Sequence, residues 1–208
     1  MTIEEYYGKY YEPLMTVEKE TEGAIHRCLD HVRIEDRRLV KYISSRIKSP
    51  ESIVEKLKRK NFPEGVDSAV NNLCDIIGFR IVVRFIGEIY TVRDLLRKSP
   101  EIKILEEKDY IAHSKPSGYR SYHLVIEKEY GGQIYKIEIQ LRTMAMDCWA
   151  SLEHQIKYKK TIDNADLISL ELKKCSDNLL SADATMEAIR NLVQYSALAE
   201  KQNKSQDG

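Results

Sequence analysis

A stretch of alternating residues past the middle of the chain restricts the possible folds more than any other feature. In "IYKIEIQLR", residues 134–142, apolar and polar side chains alternate. The apolar set is Tyr135, Ile137, Ile139 and Leu141, and the polar set is Lys136, Glu138, Gln140 and Arg142. Because the side chains of a strand point alternately to its two faces, the pattern predicts a strand with one buried and one polar face. The chain should therefore contain a sheet that is covered on one side and carries functional groups on the other.

The segments around this strand predict an α+β fold, with strands in the middle and helices at both ends. "YGGQ" at 130–133 is a hairpin turn signal that places another strand at about 119–130. Two more strands are expected after Gly78 and at 101–111. Helices are expected at 14–33, 50–60, 89–99, 144–160 and along the last long segment. The polar residues 201–208 should form a flexible tail.

Two of these helices are especially well marked. Ser49 is a favourable N-cap, Pro50 suits the first helical position and Glu51 suits the first turn. In the last segment, apolar residues recur at alternating steps of three and four, which is a heptad seam: Leu172, Cys175, Leu179, Ala182, Met186, Ile189 and Val193. Such a seam either joins subunits or packs on the protein's own sheet, and the second use is the commoner one.

Composition and charge exclude several classes of protein. The chain has 208 residues, and its 33 Lys and Arg balance 33 Asp and Glu, so it has no global positive field for long nucleic acids. The N-terminus has no apolar signal-peptide core, and Arg80 and Arg84 interrupt the most apolar stretch, so we expect a cytoplasmic protein without a membrane span. The cysteines form no C-x-x-C pair and are expected to be buried free thiols: Cys28, Cys74, Cys148 and Cys175.

A basic segment is the first candidate site. Residues 46–60 contain six cations and two anions. Ser52, Lys56 and Arg59 fall at i, i+4 and i+7 on one helix face, where they could grip several phosphates. Arg46 and Lys48 extend this patch beyond the helix. For the helix alone, a solvated charged face is the commoner interpretation.

Two carboxylates form the second candidate site. Asp75 precedes the turn at Gly78, and Glu138 lies on the polar face of its strand. Carboxylates on neighbouring strands can share Mg²⁺ together with phosphate oxygens. The competing interpretations are a helix-end cap for Asp75 and a cross-strand ion pair of Glu138 with Arg80 or Lys136.

The third candidate site is the stretch "HSKPSGYRSYHLVIE" at 113–127. Tyr119 follows Gly118, whose backbone can approach a ligand closely, and the tyrosine ring could stack on a base. Lys115 could contact phosphate. An ordinary aromatic strand edge fits the same residues, and a lone strand histidine such as His123 is more often structural.

Together these segments resemble the RelA/SpoT-type (p)ppGpp synthetases, and specifically the short single-domain small alarmone synthetases. The resemblance spans roughly Tyr42 to Lys160 and is carried by "SSRIKSPESIVEKLKRK" (44–60), "LCDIIGFRIV" (73–82), "SGYRSYHLVIE" (117–127) and "EIQLRTMAMDCWASLEHQIKYK" (138–159). It implies a nucleotidyltransferase-like mixed sheet flanked by helices. It also implies one synthetase domain over 1–200, with a core at about 42–160 and helical extensions at 1–41 and 161–200.

The activity implied by the resemblance is transfer of the β,γ-pyrophosphate of ATP to the 3′-hydroxyl of GTP or GDP, with Mg²⁺ as cofactor and AMP as by-product. Arg46 and Arg80 would sandwich adenine, and the donor phosphates would be held by Lys48, Ser52, Lys56 and Arg59. Asp75 and Glu138 would bind the metal, and Glu138 would also be the base. Tyr119 would stack on guanine, and the remaining acceptor contacts would come from Lys108, Lys115, His123 and Gln140.

Asp147 stands where many family members have Asn. A carboxylate one turn into a helix is favoured by the helix dipole, but it could also accept the N–H groups of a guanine edge. The second interpretation predicts strict guanine preference, because a site built for specific hydrogen bonds rejects a mismatched base. Toxic family members use the tRNA 3′ end or an adenosine nucleotide instead, and a non-catalytic nucleotide-binding module is a third possibility. The zero net charge disfavours tRNA, Asp147 disfavours adenine, and the presence of both Asp75 and Glu138 disfavours the third.

Further expectations follow from the resemblance. None of the five histidines forms a His-Asp dipeptide, so alarmone hydrolysis is not expected. Long family members also carry a regulatory C-terminal region that is not expected here, and with it control by the ribosome. Short members assemble into homotetramers through their terminal helices, so we expect a homo-oligomer.

Overall fold

The alternating segment forms the middle strand of a five-stranded sheet. The computed structural model describes residues 2–34, 37–157 and 164–206, with side chains described as far as Ser196. The strands of the sheet are β3 Tyr42–Ile47, β4 Ile77–Val83, β5 Lys103–Asp109, β6 Tyr122–Tyr130 and β7 Gln133–Thr143, and a separate two-stranded sheet contains β1 Arg33–Ile34 and β2 Arg37–Arg38. The order is β3-β4-β7-β6-β5. Because β4 and β7 are parallel and the other pairings are antiparallel, the sheet is mixed, as expected.

Helices lie before, between and after these strands, which confirms the α+β class. They are α1 Ile3–Tyr7, α2 Tyr11–Leu29, α3 Pro50–Arg59, α4 Val66–Asn72, α5 Ile86–Lys98, α6 Met144–Lys157 and α7 Ala165–Gln206. The start of α3 is the predicted one, because the Ser49 side chain accepts the backbone N–H of Ser52 and Pro50 is the first residue. Residues 158–160 of the helix predicted at 144–160 lie outside the described residues.

Several boundaries differ from the prediction. Helix α2 begins at Tyr11, so Pro13 lies within its first turn, where a residue without an N–H group is tolerated. Helix α4 ends at Asn72, and β4 begins at Ile77, so the strand expected after Gly78 starts one residue before it. Strand β3 was not predicted, because its residues are only exposed or half-buried and therefore show no apolar face in the sequence.

The buried face of the sheet packs against α2 and α5. The core contains Tyr135, Ile137, Ile139 and Leu141 of β7, together with Leu14, Val17 and Ile25 of α2 and Ile89, Val92 and Leu96 of α5. Each fully buried aliphatic side chain contributes about 1.5–3 kcal/mol. Packing on this face leaves the opposite, polar face of the sheet open.

The long helix α7 turns the C-terminal part of its heptad seam to solvent. Met186, Ile189 and Val193 are 58%, 48% and 63% exposed, so this part of the seam does not pack on the sheet within the described chain, whereas Leu172 and Leu179 are half-buried. The inward face of the helix carries Ser176, Leu180 and Asp183 instead. The helix continues to Gln206, so the tail predicted from residue 201 begins inside it, and residues 207–208 lie outside the described residues.

Other side-chain predictions had mixed outcomes. The four cysteines are free, but Cys148 and Cys175 are exposed and the other two are half-buried, so their predicted burial was wrong. On α6, Trp149 is buried, whereas Leu152 and Ile156 are exposed. Across the described ranges, helices with the length and apolarity of a membrane span do not occur.

Candidate active site

The register of the sheet aligns polar side chains across all five strands. From one edge to the other, the register partners are Ser44 on β3, Arg80 on β4, Gln140 on β7, His123 on β6 and Lys108 on β5. Glu138 lies two residues before Gln140 and is paired with Gly78 of β4. Because glycine has no side chain, the space beside Glu138 stays open on that side.

Two adjoining cavities lie on this polar face. The first, of about 240 Å³, contains Asp75 and Glu138 in its lining. The second, of about 360 Å³, is lined in part by Tyr119 and Arg142. Both are lined by Arg46, Arg80 and Gln140. Two ligands could therefore bind side by side, separated by a shared wall.

Asp75 is held between two lysines at the first cavity. Its Oδ2 atom is 2.6 Å from Lys48 Nζ and 2.5 Å from Lys56 Nζ. Burial alone would raise the pKa of Asp75, but the two ammonium groups outweigh burial and lower it. The other oxygen, Oδ1, is buried and has no hydrogen-bond partner. A lone pair of this carboxylate is therefore available to a cation.

These residues fit Mg²⁺. Within the described residues there is no cluster of three or more His, Cys, Asp or Glu side chains that could hold a metal with protein ligands alone. Magnesium in nucleotide enzymes usually takes one or two carboxylates, and phosphate oxygens and water complete its shell. Asp75, with its unpartnered oxygen, and Glu138 line one cavity. The donor set suits a metal that arrives with a nucleotide.

Glu138 is fixed by two hydrogen-bonding partners. Its Oε1 atom is 3.2 Å from His123 Nδ1, and its Oε2 atom accepts from Gln140 Nε2 at 2.6 Å. Burial would raise the pKa of Glu138, but the contacts with His123, the hydrogen bond from Gln140 and the charge of Lys56 outweigh burial and lower the pKa to about 2. Glu138 is therefore ionised at neutral pH. The alternative ion pair with Arg80 is not formed, since Arg80 pairs with Asp147.

Arg142 organises the site and was not among the predicted site residues. Its buried guanidinium donates from Nη2 to the Tyr119 hydroxyl at 2.9 Å and to Gln140 Oε1 at 2.6 Å. Because the Tyr119 oxygen accepts from Arg142, its own proton can point to His123 Nε2, 2.8 Å away. A closed ring of hydrogen bonds thus links Arg142, Tyr119, His123, Glu138 and Gln140. The available signal was its place on the polar face of β7, where a buried arginine must find acceptors.

Asp147 lies between two arginines and a tyrosine. Its Oδ1 atom is 3.1 Å from Arg80 Nε and 3.0 Å from Arg142 Nη1. Its Oδ2 atom accepts the Tyr42 hydroxyl at 2.5 Å, and burial together with this bond raises the pKa of Tyr42 to about 12. Since both oxygens already have partners, a guanine edge would have to share this carboxylate with them.

The loop between β5 and β6 presents a cation on aromatic rings. Lys115 Nζ lies 4.6 Å from the ring centroid of Tyr110 and 4.8 Å from that of Tyr119. Loss of solvation, with the nearby cations Lys56, Lys108 and Arg59, lowers the pKa of Lys115. The cation covers the ring on which a base would stack, so a ligand with its own charge or ring must displace Lys115.

The structure brings most of the predicted site residues together and leaves a few at the margin. Arg46, Asp75, Arg80, Glu138 and Gln140 meet in the first cavity. Lys48 and Lys56 join them through Asp75, and His123 through Glu138. Ser52 contacts the Ser49 cap, Arg59 is an exposed residue at the end of α3, and Lys108 pairs with Glu106 at 2.9 Å.

A mixed sheet with two carboxylates, grouped cations and two adjoining cavities on its polar face defines a nucleotide-binding transferase. The family model described as the region found in RelA and SpoT proteins matches residues 45–163. The chain belongs to the RelA/SpoT family.

Individual relatives agree with this assignment. The chain is 40% identical over 158 residues to the GTP pyrophosphokinase YwaC of Bacillus subtilis, an alignment that covers 74% of this chain and 75% of the relative. It is 33% identical to the GTP pyrophosphokinase YjbM of the same organism, with 82% and 81% covered. The structure of small alarmone synthetase 1 from Bacillus subtilis bound to its product pppGpp superposes with a TM-score of 0.76 at 30% identity, covering 92% of this chain and 97% of that one.

Proposed function

We propose that the chain is a GTP pyrophosphokinase, which makes (p)ppGpp by transferring the β,γ-pyrophosphate of ATP to the 3′-hydroxyl of GTP or GDP and releases AMP. The observation that carries this proposal is the pair of cavities with a shared wall of Arg46, Arg80 and Gln140. Transfer between two nucleotides needs two such neighbouring sites. The names of the relatives YwaC and YjbM support the guanine acceptor.

On the donor side, we assign adenine to Arg46 and Arg80, and the phosphates to Lys48, Ser52, Lys56 and Arg59. Enzymes of pyrophosphoryl transfer act mostly by positioning groups and neutralising charge. Lys48 and Lys56 are paired with Asp75 in the described chain, so an arriving polyphosphate must share them. Mg²⁺ held by Asp75 and Glu138 would supply charge neutralisation at the phosphates.

On the acceptor side, we assign guanine to Tyr119 and Asp147, and the ribose and phosphates to Lys108, Lys115, His123 and Gln140. Glu138 would accept the hydrogen of the 3′-hydroxyl. With a pKa of about 2 it is ionised but a weak base. It would therefore orient the hydroxyl and take the proton late, which a loose transition state permits. Holding the hydroxyl in line with phosphorus can lower the barrier by up to about 7–11 kcal/mol.

One assay separates the candidate functions. The protein is mixed with Mg²⁺ and ATP labelled on the γ-phosphate, without ribosomes, and with GDP, GTP, unlabelled ATP or tRNA as acceptor. The proposal expects label in the guanosine product. Label in an adenosine nucleotide or in tRNA would favour the toxin-type alternative, and label in no acceptor would favour a binding module without catalysis.

We also propose that the protein is cytoplasmic and forms a homo-oligomer, a tetramer. Large apolar side chains are exposed along α7: Leu167, Leu170, Met186, Ile189, Leu192, Val193 and Tyr195. Exposed apolar side chains grouped in this way are typical of interaction sites. Sedimentation should show a species of four times the chain mass, and Ile189→Glu with Leu192→Glu should dissociate it. A monomer at micromolar concentration would contradict this proposal.

A further inference from the structure

The loop that carries Lys115 and Tyr119 is held from behind by the C-terminal helix. Ser176 of α7 is only 4% exposed. Its hydroxyl donates to the backbone carbonyl of Gly118 at 2.5 Å. Gly118 immediately precedes Tyr119, so this hydrogen bond acts on the peptide group that directs the tyrosine ring.

Helix and loop approach each other closely at the same point. Gly118 has a φ of +89°, and a Cβ atom there would lie 3.0 Å from Lys173 Cα and 3.0 Å from Ser176 Cβ. Only glycine permits both this backbone conformation and this approach. The Gly118 N–H donates to the Lys115 carbonyl at 2.8 Å, and the Lys115 N–H donates to the Tyr119 carbonyl at 3.2 Å. A shift of Gly118 would therefore move both ligand-facing residues together.

A second, weaker contact lies two residues further along the loop and one residue further along the helix. Arg120 donates from Nη2 to Asp177 of α7 at 2.9 Å and from Nη1 to the Ile111 carbonyl at 2.9 Å. The Asp177 side chain is 42% exposed. Because exposed ion pairs contribute little and a buried hydrogen bond is costly to lose, the Ser176 bond is the stronger constraint.

We propose that Ser176 is a positioning residue for the acceptor nucleotide. By fixing the Gly118 carbonyl, it sets the orientation of Tyr119 and Lys115, and with it the affinity for the acceptor. The inference rests on the proposed function of this loop as the acceptor site. The donor side should be unaffected, because the described lining of the first cavity includes no residue of α7.

The test is Ser176→Ala, analysed with each substrate varied in turn. The KM for GDP should rise about 5- to 20-fold, while the KM for ATP and the kcat at saturating GDP stay within about twofold. Ser181→Ala, at an exposed serine of the same helix, is the matched control and should change neither KM. The Trp149 Nε1–H donates to the Leu172 carbonyl of α7 at 2.8 Å, so the emission of this single tryptophan reports whether the helix is seated.

Gly118→Ala changes the loop side of the contact between Gly118 and Ser176. It should also raise the KM for GDP. In the double variant the two effects should be less than multiplicative, because both changes break one contact. If the tryptophan emission shows that α7 has shifted in Ser176→Ala, the KM for GDP of Gly118→Ala tests the contact in its place.

Calorimetric titration with GDP measures acceptor affinity without turnover and so separates this inference from the proposed function. Weaker GDP binding by Ser176→Ala with unchanged tryptophan emission supports the inference. Unchanged GDP binding, or an equal loss of ATP affinity, overturns it. Absence of labelled guanosine product from the wild type, with GDP still bound, overturns the proposed function alone.

Discussion

The two sides of the cleft are held in different ways. On the side assigned to ATP, Arg80 and Glu138 lie on paired parallel strands, and β3 places Arg46 beside them through its own register. On the side assigned to the acceptor, the loop depends on side chains, chiefly Arg142 at Tyr119 and Ser176 at Gly118. Many backbone hydrogen bonds hold a strand in the sheet, whereas one substitution removes a side-chain hydrogen bond to the loop. Substitutions at the carboxylates should therefore lower kcat. Substitutions around the loop should weaken binding of the acceptor nucleotide.

The largest expected effect comes from Glu138, which lies where the two sides meet. Glu138→Gln should lower kcat by about 10²- to 10⁴-fold, the usual contribution of a positioned acid or base. ATP should still bind, because the cations that hold it remain. Glu129→Gln, at an exposed position on β6, is the control and should keep normal turnover. Normal turnover in Glu138→Gln would remove Glu138 from the proton-accepting role.

Glu138 also provides a test of whether residues on the acceptor side stabilise its ionised carboxylate. The pKa of Glu138 is lowered in the folded state to about 2, from an ordinary value of 4.5. A carboxylate with a depressed pKa stabilises the fold above its unfolded pKa, and this contribution is lost as the pH falls through the folded value. We expect the free energy of unfolding of the wild type to exceed that of Glu138→Gln by up to about 2–3 kcal/mol above pH 5.

The measurement is urea unfolding of both proteins between pH 3 and pH 7, with chelator and without nucleotide. The difference between the two proteins should shrink as the pH falls below about 4.5. His123→Phe should reduce the difference at neutral pH, because it keeps a ring but removes the hydrogen-bond donor to Glu138. A difference that is constant with pH would show that the His123 and Gln140 contacts do not stabilise the ionised carboxylate.

The sequence predicts the role of a residue when that role depends only on neighbouring residues in the chain. The alternation in β7 correctly predicts the faces of Glu138 and Gln140, because strand periodicity is a property of the strand itself. The contact of Asp75 with Lys48 requires the pairing of β3 with β4, and β3, as a half-exposed edge strand, carries no apolar pattern. Residues of this kind become visible only when tertiary structure brings distant segments together.

The contacts of the C-terminal helix α7 could not be predicted from the sequence either. The heptad seam correctly identifies a continuous apolar stripe, but a periodicity contains no information about the partner that covers it. The inward face of α7 is selected by short polar contacts such as Ser176 with Gly118 and Asp183 with Thr143. Single serines and aspartates within a long helix give no signal that they contact segments 40 to 58 residues earlier in the chain.

Tyr119 tests the acceptor side next. Tyr119→Ala should raise the KM for GDP by about 5- to 150-fold, since base stacking on an aromatic residue is worth about 1–3 kcal/mol. The KM for ATP should change little. Tyr119→Phe keeps the ring but loses its hydrogen bonds with His123 and Arg142, so its effect should be smaller. Tyr130→Ala, at the exposed end of β6, is the control, and equal KM values for all four proteins would exclude stacking at Tyr119.

The smallest effect is expected at Asp147. Whether its substitution raises the KM for GDP or the KM for ATP decides to which side of the cleft this residue belongs. Asp147 contacts Arg80 on the donor side and, through Arg142, Tyr119 on the acceptor side. Asp147→Asn keeps the size of the side chain but removes the charge, so each N–H contact weakens by roughly 1 kcal/mol. If Asp147 reads the guanine edge, the KM for GDP should rise about three- to tenfold while the KM for ATP stays constant. A rise in the KM for ATP alone would instead make Asp147 the partner that orients Arg80, and the preference for guanine would then have to come from other groups around Tyr119.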